Sequence, residues 1–398
     1  MLLLGNVILK ILVIPTTDWL GHPFPSRLHH IFERIAEHNE VHVLRFGFYP
    51  ETKLKTRVFV HEIDEINTSQ LALYYSVNAL KHYKAVREIL KEYKIDTVVI
   101  SNLLSGIIAA RAAHNFTKLV YDLPDYFPAS ACGYYFDVNS LPGKIVMAGL
   151  EKILQSTLKL ADHTVTCSHM LMDYARNLGI KDASVIPNGV DDFFWKYKYD
   201  GTGIREKYEL DGHITIGYLG SIEFWLDIYP LLHAIQHLAK EHPVKLFLVG
   251  AKLRTKAAEK LQRQIKDLKI EKNVVWLKDF VPYHDVPSYI AAMDVCTIPF
   301  DPNNPTAYYS APNKLWEYLA LEKPVITTSI PAIIIQAGQF INVADTSKDY
   351  VQILEDYIHD PDKYKEKIRA VQQVIRSNNW NIISEKYENL LESVQASR

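Results

Sequence analysis

Two charged residues, Lys314 and Glu317, stand near the start of a predicted amphipathic helix that follows a polar, proline-rich loop. The free backbone N–H groups and the positive dipole end of such a helix suit a phosphate group. A cation in the first turn does nothing for the helix dipole, so an external anion would explain Lys314 better. Glu317 lies one turn further on, where it can face the same crevice and accept hydrogen bonds from a ribose diol.

The elements around this pair follow from the apolar pattern. A buried strand is predicted over 295–300, the helix over 313–321 and a second strand over 324–328. The letters SAPNKLWEYLA at 310–320, with KPVI at 323–326, resemble the donor-binding segment of retaining family-4 glycosyltransferases of the GT-B fold. The resemblance implies that Glu317 holds the nucleotide ribose and that the helix start, with Asn313, Lys314 and Leu315, faces the diphosphate. Many members also carry a Glu eight residues earlier, near the donor sugar, where this chain has Tyr309.

A second loop, GSIEFWLD at 220–227, follows another predicted strand. Gly220 would let a ligand approach the backbone closely. Many family members have an Arg directly after this Gly and a Lys a few residues later, whereas this chain has Ser221 and no Lys before Lys240. The loop resembles a branch of the family that lacks this pair. In that branch the diphosphate must rely more on backbone N–H groups and on Lys314.

Lys252 lies in a third loop, after the predicted strand 245–249. It could help to bind the nucleotide. A solvated basic loop explains it equally well, since a lone glycine after a strand is a weak signal, and both interpretations stay open.

Acidic and aromatic residues lie at the end of the predicted strand 118–123 and directly after it, in the segment YDLPDYFP at 121–128. Carboxylates are costly to bury unless they are paired, and aromatic faces suit the apolar side of a pyranose ring. Asp122 and Asp125 are therefore candidates for lining a sugar pocket and for catalysis. The alternative is that one of them caps the following turn.

The loop over 16–26 and the helix after it supply candidates on the acceptor side. His22 could contact the acceptor or the donor, or it could belong to a proline-stiffened turn. Arg27, in the first turn of the predicted helix 27–39, could bind a phosphate or lie on the surface.

The composition limits the class of partner. The chain has 398 residues, is 48% hydrophobic and carries a formal net charge of -2, so a general nucleic-acid binder is disfavoured. The apolar start of the chain is interrupted by Gly5, Asn6 and Lys10, and it reads as a first strand rather than a signal peptide. We expect a cytoplasmic protein. Peripheral association with the cytoplasmic face of a membrane stays open, although no strongly basic amphipathic helix requires it.

Strands that are continuous Val/Ile/Leu runs alternate with helices through both halves of the chain, which predicts two parallel, doubly wound α/β sheets. We therefore predict two Rossmann-like domains facing each other across a cleft, the GT-B fold that the resemblance also implies. The first, over 1–192, would lie on the acceptor side, and the second, over 193–376, would bind the nucleotide-sugar donor. The family suggests that the last helix, over 377–398, packs back on the first domain.

The resemblance implies a retaining glycosyltransferase of the hexosyltransferase type. It would move a sugar from a nucleoside-diphosphate sugar, of the UDP or GDP type, to a hydroxyl of a glycan, lipid-linked or polysaccharide acceptor. No cofactor is expected, and no metal either, since no DxD grouping follows a suitable strand. Two alternatives stay open: an epimerase or phosphorylase of the same fold, and a nucleotide-sugar-binding protein without activity, which the changes at Tyr309 and Ser221 motivate.

Overall fold

The computed structural model describes residues 8–49, 54–250, 255–364 and 370–397. The chain divides into two compact units. The first comprises Met1–Asn188 together with Trp380–Arg398, and the second comprises Gly189–Asn379. The division after Asn188 falls four residues before the boundary expected from the sequence.

The first unit is built on a parallel sheet, seven-stranded within the described residues, with the order β3-β2-β1-β4-β5-β6-β7. The inner strands are short runs of β-branched and aliphatic residues that are buried on both faces, as parallel sheets require. The order reverses direction between β1 and β4, which makes the carboxyl ends of these strands a topological switch point. The strands are Lys10–Ile14 (β1), Glu40–Leu44 (β2), Phe59–His61 (β3), Thr97–Ile100 (β4), Lys118–Leu123 (β5), His163–Thr166 (β6) and Ala183–Val185 (β7).

Helices connect these strands and cover the sheet. Side-chain caps set the start of two of them: Ser140 accepts the N–H of Gly143 at 3.1 Å, and Ser168 accepts the N–H of Leu171 at 3.3 Å. The helices of this unit before residue 189 are Arg27–Ile35 (α1), Leu71–Val77 (α2), Ala79–Tyr93 (α3), Leu104–Ala113 (α4), Phe127–Gly133 (α5), Leu141–Leu158 (α6) and His169–Asn177 (α7).

The second unit repeats this arrangement on a parallel sheet, six-stranded over the part of the chain that the structure describes. Its order, β10-β9-β8-β11-β12-β13, reverses between β8 and β11. The carboxyl ends of these two central strands therefore form the switch point of this unit. The strands are Ile214–Leu219 (β8), Val244–Val249 (β9), Val274–Leu277 (β10), Val295–Ile298 (β11), Val325–Thr327 (β12) and Asn342–Val343 (β13).

Two hydrophobic clusters cover the faces of this second sheet. One contains Leu315, Trp316 and Leu319, which lie on the buried side of a helix that enters from the loop after β11. The helices are Phe193–Lys196 (α8), Thr202–Lys207 (α9), Tyr229–Leu238 (α10), Lys256–Asp267 (α11), Val286–Ala291 (α12), Pro305–Tyr308 (α13), Asn313–Ala320 (α14), Pro331–Ala337 (α15), Ser347–His359 (α16) and Gln372–Ser377 (α17).

The last helix, Trp380–Ala396 (α18), belongs to the first unit. Trp380 is buried and stacks on His30 of α1, with ring centroids 4.7 Å apart and planes 3° apart. Tyr387 packs edge-on against Phe32 of the same helix. Burial of these large aromatic side chains fixes α18 on α1. None of the helices in the described ranges combines the length and the apolar composition needed to cross a membrane.

Candidate functional site

Lys314 lies at the switch point of the second sheet. It follows Asn313, the first residue of α14, and its side chain runs back toward the carboxyl ends of β8 and β11. Its Nζ lies 3.1 Å from the phenolic oxygen of Tyr218 in β8 and 5.5 Å from the ring centroid of Phe300, just after β11. This crevice is where open α/β sheets bind their ligands.

Gly220 makes room for this lysine. It follows β8 with φ at +137°, a backbone conformation that favours glycine, and its N–H donates to the carbonyl of Val249 at 2.8 Å. A Cβ atom built on Gly220 would collide with the Nζ of Lys314. Gly220 therefore accommodates the close approach of a lysine side chain of the protein itself. The approach of a ligand at Gly220 stays a prediction.

Glu317 lies one turn after Lys314 and is 8% exposed. Burial raises the pKa of Glu317 to about 7, an effect that the nearby Lys314 opposes and that Asp191 reinforces. Burial likewise lowers the pKa of Lys314 to about 7, against the pull of Glu317. Two shifted groups in one strand-end crevice are typical of a functional site, since desolvation without full compensation is costly.

The other predicted donor-binding residues differ in how deeply they are buried. Asn313 is partly buried at the helix start. Leu315 is 1% exposed within the core, so its side chain packs inward, and its N–H donates to the carbonyl of Pro312 at 3.2 Å. Ser221 is partly buried, and its carbonyl accepts a hydrogen bond from the Tyr218 hydroxyl at 2.9 Å. Lys252, the remaining predicted donor residue, lies outside the described residues.

Arg27 and Asp122 form a buried ion pair in the first unit. Asp122 lies within β5, and both of its carboxylate oxygens are 3.2 Å from the Nε of Arg27. The Arg27 guanidinium also donates to the carbonyls of Ile186 and Pro187 and to the side chain of Asn188, at 2.8 to 2.9 Å. This geometry favours a structural role for both, in tying α1 and β5 to the segment after β7. The catalytic role of Asp122 and the acceptor role of Arg27 stay predictions.

Asp125 has a different environment. It is partly exposed beyond the end of β5, where one oxygen accepts the Ser130 hydroxyl at 2.7 Å and the other accepts the N–H of Tyr126 at 2.8 Å. Burial raises the pKa of Asp125 to about 6, although both hydrogen bonds favour the ionised form. These hydrogen bonds connect Asp125 to the turn before α5 and to Ser130 within it, but none of the side chains that the structure describes caps this helix. The catalytic role of Asp125 stays a prediction.

His22 lies in the loop after β1. Its Nδ1 is 2.6 Å from the carbonyl of Phe24, and its ring contacts the rings of Phe24 and Tyr49 edge-on. The side chain is half-buried. These contacts stabilise the turn before α1. They do not test the predicted contact of His22 with the acceptor or the donor.

Sequence reasoning missed the tyrosines that support the candidate site. Tyr218 lies in β8 under Lys314, and the hydroxyl of Tyr318 accepts the N–H of Leu219 at 2.8 Å. Both tyrosines are buried inside the sheet and the helix, where an aromatic residue reads as ordinary core. Their alignment at the end of β8 depends on pairing between segments about a hundred residues apart. Among the described residues, no group of three His, Cys, Asp or Glu side chains could hold a metal ion.

Two family models match this chain, one in each half. The model of Glycosyltransferase Family 4 matches residues 26–192, and that of Glycosyl transferases group 1 matches residues 213–360. A Bacillus subtilis (strain 168) protein named "Putative teichuronic acid biosynthesis glycosyltransferase TuaH" is 24% identical over 292 residues, which are 70% of this chain and 68% of that protein.

Solved structures share the fold at low sequence identity. Anabaena Alr3699/HepE in complex with UDP superposes with a TM-score of 0.71 at 18% identity, covering 97% of this chain and all of that one. Sucrose-phosphate synthase from Thermosynechococcus elongatus gives a TM-score of 0.78 at 14% identity, covering 98% of this chain and all of that one. The two family models and the two parallel Rossmann-like sheets agree: the chain belongs to the family-4, group 1 glycosyltransferases and has their GT-B fold.

Proposed function

We propose that this glycosyltransferase moves a sugar from a nucleoside-diphosphate sugar to an acceptor hydroxyl, with retention of configuration at the sugar. The observation that carries the proposal is the pair Lys314 and Glu317, one turn apart on α14, with the Lys314 Nζ at the ends of β8 and β11 beside Tyr218 and Phe300. Burial shifts the pKa of both groups to about 7. A diphosphate would place further negative charge beside Lys314, and a ribose diol would donate hydrogen bonds to the Glu317 carboxylate.

Lys314 would act on the leaving group. When the bond between the anomeric carbon and the diphosphate breaks, negative charge develops on the diphosphate and positive charge on the sugar. An ammonium group in a desolvated crevice stabilises that negative charge more strongly than it would in water. The free N–H groups at the start of α14 would add to this effect. No metal ion is part of the proposal.

Asp125 is the better candidate for the sugar side of the reaction. It is partly exposed, and with a pKa of about 6 its carboxylate is ionised at neutral pH, so it would stabilise a cationic sugar there. Asp122 and Arg27 would contribute by holding β5 and the loop after it in place, because their charges already neutralise each other.

We propose UDP as the nucleotide. Structures of Anabaena Alr3699/HepE, which shares the fold, have been solved with UDP and with UDP-glucose. The acceptor would be a hydroxyl of a glycan, a polysaccharide or a lipid-linked sugar, in keeping with the teichuronic acid biosynthesis in the name of the Bacillus subtilis relative.

A thermal-shift panel with UDP, GDP, ADP and CMP tests the nucleotide site. A ligand at about 100 times its dissociation constant adds about 2.7 kcal/mol to the free energy of unfolding. We expect UDP to stabilise the wild type and to lose most of that effect on Glu317→Ala. Glu241→Ala, which removes an exposed carboxylate of the same unit, is the matched control and should respond like the wild type. Equal stabilisation of wild type and Glu317→Ala would remove Glu317 from the site.

Turnover distinguishes the transferase from its alternatives. With UDP-glucose and a set of alkyl glycosides, a transferase releases UDP only when an acceptor is present, and NMR of the product gives the anomeric configuration. An epimerase would convert the donor without releasing UDP, and a phosphorylase would require inorganic phosphate. A binding protein without activity would be stabilised by UDP and would release none from the donor. An inverted anomeric centre in the product would contradict retention.

A further inference from the structure

The aliphatic side chains of helix α2 face solvent, and its tyrosines face the core. The helix buries Tyr74 and Tyr75 but leaves Leu71, Leu73 and Val77 exposed to solvent, each by 40% or more. In a helix that packs only on its own domain, aliphatic residues would face the core and the polar tip of tyrosine would face water. The exposed aliphatic side chains indicate contact with something outside the chain.

The next helix extends this surface. Leu80, at the start of α3, is 78% exposed, and Tyr83 one turn later is 40% exposed. Because residues three and four positions apart share a helix face, Lys84, Arg87 and Lys91 continue the same stripe. The aliphatic residues thus lead into a mainly cationic stripe, in which the exposed Glu88 lies between Lys84 and Lys91. We call the surface formed by Leu71, Leu73, Val77, Leu80, Tyr83, Lys84, Arg87 and Lys91 the α2–α3 face.

A groove runs beside the cationic part of this face. It has a volume of about 530 Å³, and its lining combines three cations and one acid with apolar and aromatic side chains: Lys84, Arg87, Lys91, Glu88, Tyr83, Leu90, Ile95 and Phe116. The guanidinium carbon of Arg87 lies 3.6 Å from the ring centroid of Phe116, which is itself 63% exposed. An aromatic ring that holds a cation at the protein surface suits the boundary between apolar chains and charged headgroups.

We infer that the α2–α3 face docks on a membrane surface rich in anionic lipid. Aliphatic residues would enter the acyl boundary while the adjacent cations meet the headgroups, as in interfacial amphipathic helices. Charge favours this partner: α3 carries four basic residues, Lys81, Lys84, Arg87 and Lys91, against two acidic ones, Glu88 and Glu92. Lys81 is bound to Asp64.

A second copy of the chain fits this surface less well. A two-fold dimer would bring the same patch on both copies together, and the cations of one would then face those of the other. A second exposed apolar patch, which includes Tyr134, Leu141 and Ile145, lies at α5 and α6. Its exposed stretch contains one lysine, Lys144, and the acid Asp137, so it lacks a row of cations. It therefore provides an internal control.

Vesicle sedimentation of the full chain tests the inference without requiring turnover. We expect binding to phosphatidylcholine vesicles that contain phosphatidylglycerol, weaker binding as salt rises, and little binding to pure phosphatidylcholine. The variant Lys84→Glu/Lys91→Glu should weaken binding at least 25-fold, since each lysine near an anionic surface is worth about fivefold. Leu80→Asp should weaken it about tenfold through lost apolar contact.

Two matched variants make the result specific. Lys240→Glu/Lys266→Glu removes two exposed lysines of the second unit, and Leu141→Asp/Ile145→Asp changes the other apolar patch. Both should bind anionic vesicles like the wild type. The inference is overturned if the wild type does not bind these vesicles, or if the Leu141/Ile145 variant loses binding while the Lys84/Lys91 variant keeps it. Concentration-dependent dimerisation that Leu80→Asp abolishes, with no vesicle binding, would identify the face as a protein interface instead. UDP-induced stabilisation, which tests the proposed function, should not change in any of these variants.

Discussion

The Nζ of Lys314 lies 3.1 Å from the hydroxyl oxygen of Tyr218 and 4.3 Å from the centroid of its ring. The tyrosine hydroxyl donates its own proton to the carbonyl of Ser221 at 2.9 Å, so a lone pair of its oxygen faces the ammonium group. Tyr218 therefore fixes the position of the only catalytic cation in our proposal. The contact also compensates, in part, for burial of that cation.

Removing the Tyr218 hydroxyl should weaken nucleotide binding. Tyr218→Phe keeps the ring under Lys314 but deletes the acceptor, and a hydrogen bond to a charged group is worth about 1.5–3 kcal/mol. We expect the dissociation constant for UDP, measured by calorimetry, to rise roughly tenfold or more. Tyr229→Phe, at an exposed tyrosine of the same unit, should leave it unchanged. An unaltered UDP affinity in Tyr218→Phe would show that the hydroxyl does not position Lys314.

A methyl group at Gly220 should displace Lys314 from the crevice. The added Cβ of Gly220→Ala would meet the Nζ of Lys314, and φ of +137° is strained for alanine. Gly212→Ala separates these two effects, because Gly212 also has a positive φ, +73°, but nothing lies within 4 Å of its Cβ position. Both variants should lose stability in urea titrations, by about 1 kcal/mol or more, since the left-handed conformation is costly for alanine. Only Gly220→Ala should also lose UDP binding. Equal UDP affinity in the two variants would exclude the collision as a functional feature.

The Lys314 and Glu317 pair should reduce stability most near neutral pH. Between pH 7 and the ordinary pKa of lysine the unfolded chain binds the extra proton at Lys314, so stability rises with pH. Between the ordinary pKa of glutamate and pH 7 the folded chain binds the extra proton at Glu317, so stability falls as pH rises. We expect the double variant Lys314→Met/Glu317→Gln to be more stable than the wild type by about 1–3 kcal/mol at pH 7.

Urea titrations at pH 5, 7 and 9 measure this difference. It should be largest at pH 7, and the variant should bind no UDP. A variant that is less stable than the wild type at pH 7 would mean that the pair contributes to the fold rather than to ligand binding.

The sequence predicts those features that depend on local pattern. Val295–Ile298, Asn313–Ala320 and Val325–Thr327 lie where their apolar periods place them. The strand Phe59–His61 and the helix Pro331–Ala337 were not predicted, the first because three residues at a sheet edge carry too little period, the second because PAIIIQA has no amphipathic spacing.

Contacts between residues that are far apart in the sequence leave no local pattern that could predict them. Asp122 was predicted to line a sugar pocket or to cap a turn, because no local sequence feature reveals that Arg27, ninety-five positions away, reaches it through the core. The burial of Leu315 could not be predicted either. The sequence alone does not show which face of the first turn of α14 packs against the core. Lys314 and Glu317 were recognisable because one helix alone brings them together.

The buried Arg27–Asp122 pair should matter for stability. Arg27→Met leaves an unpaired carboxylate at a position that is 1% exposed, and breaking a buried pair costs about 3–5 kcal/mol. Asp122→Asn should cost a similar amount, and the double variant less than the sum of the two, as a double-mutant cycle in urea would show. Arg57→Met, at an exposed ion pair with Glu37, is the control and should cost at most about 1 kcal/mol. Asp122→Asn that folds with wild-type stability but has lost turnover would restore the catalytic role of Asp122.

Asp125 should give the turnover rate an acidic limb. Burial raises its pKa from 3.8 to about 6, so the carboxylate becomes protonated as the pH falls through about 6 and can no longer stabilise a cationic sugar. With UDP-glucose as donor, we expect kcat to decline below that pH in the wild type. Asp125→Asn should be slower by about 100-fold or more at pH 7.5 and should lack this limb, since loss of one electrostatic contact to a transition state costs about 2.7–4 kcal/mol. Ser130→Ala is the informative comparison, because it removes one hydrogen bond to the carboxylate but keeps the charge. Because that hydrogen bond favours the ionised form, the acidic limb of the kcat profile should move to higher pH in Ser130→Ala, while kcat on the alkaline plateau stays near the wild-type value.

An acidic limb that persists unchanged in Asp125→Asn would assign the titration to another group. Asp125 would then be a residue that only holds the start of α5.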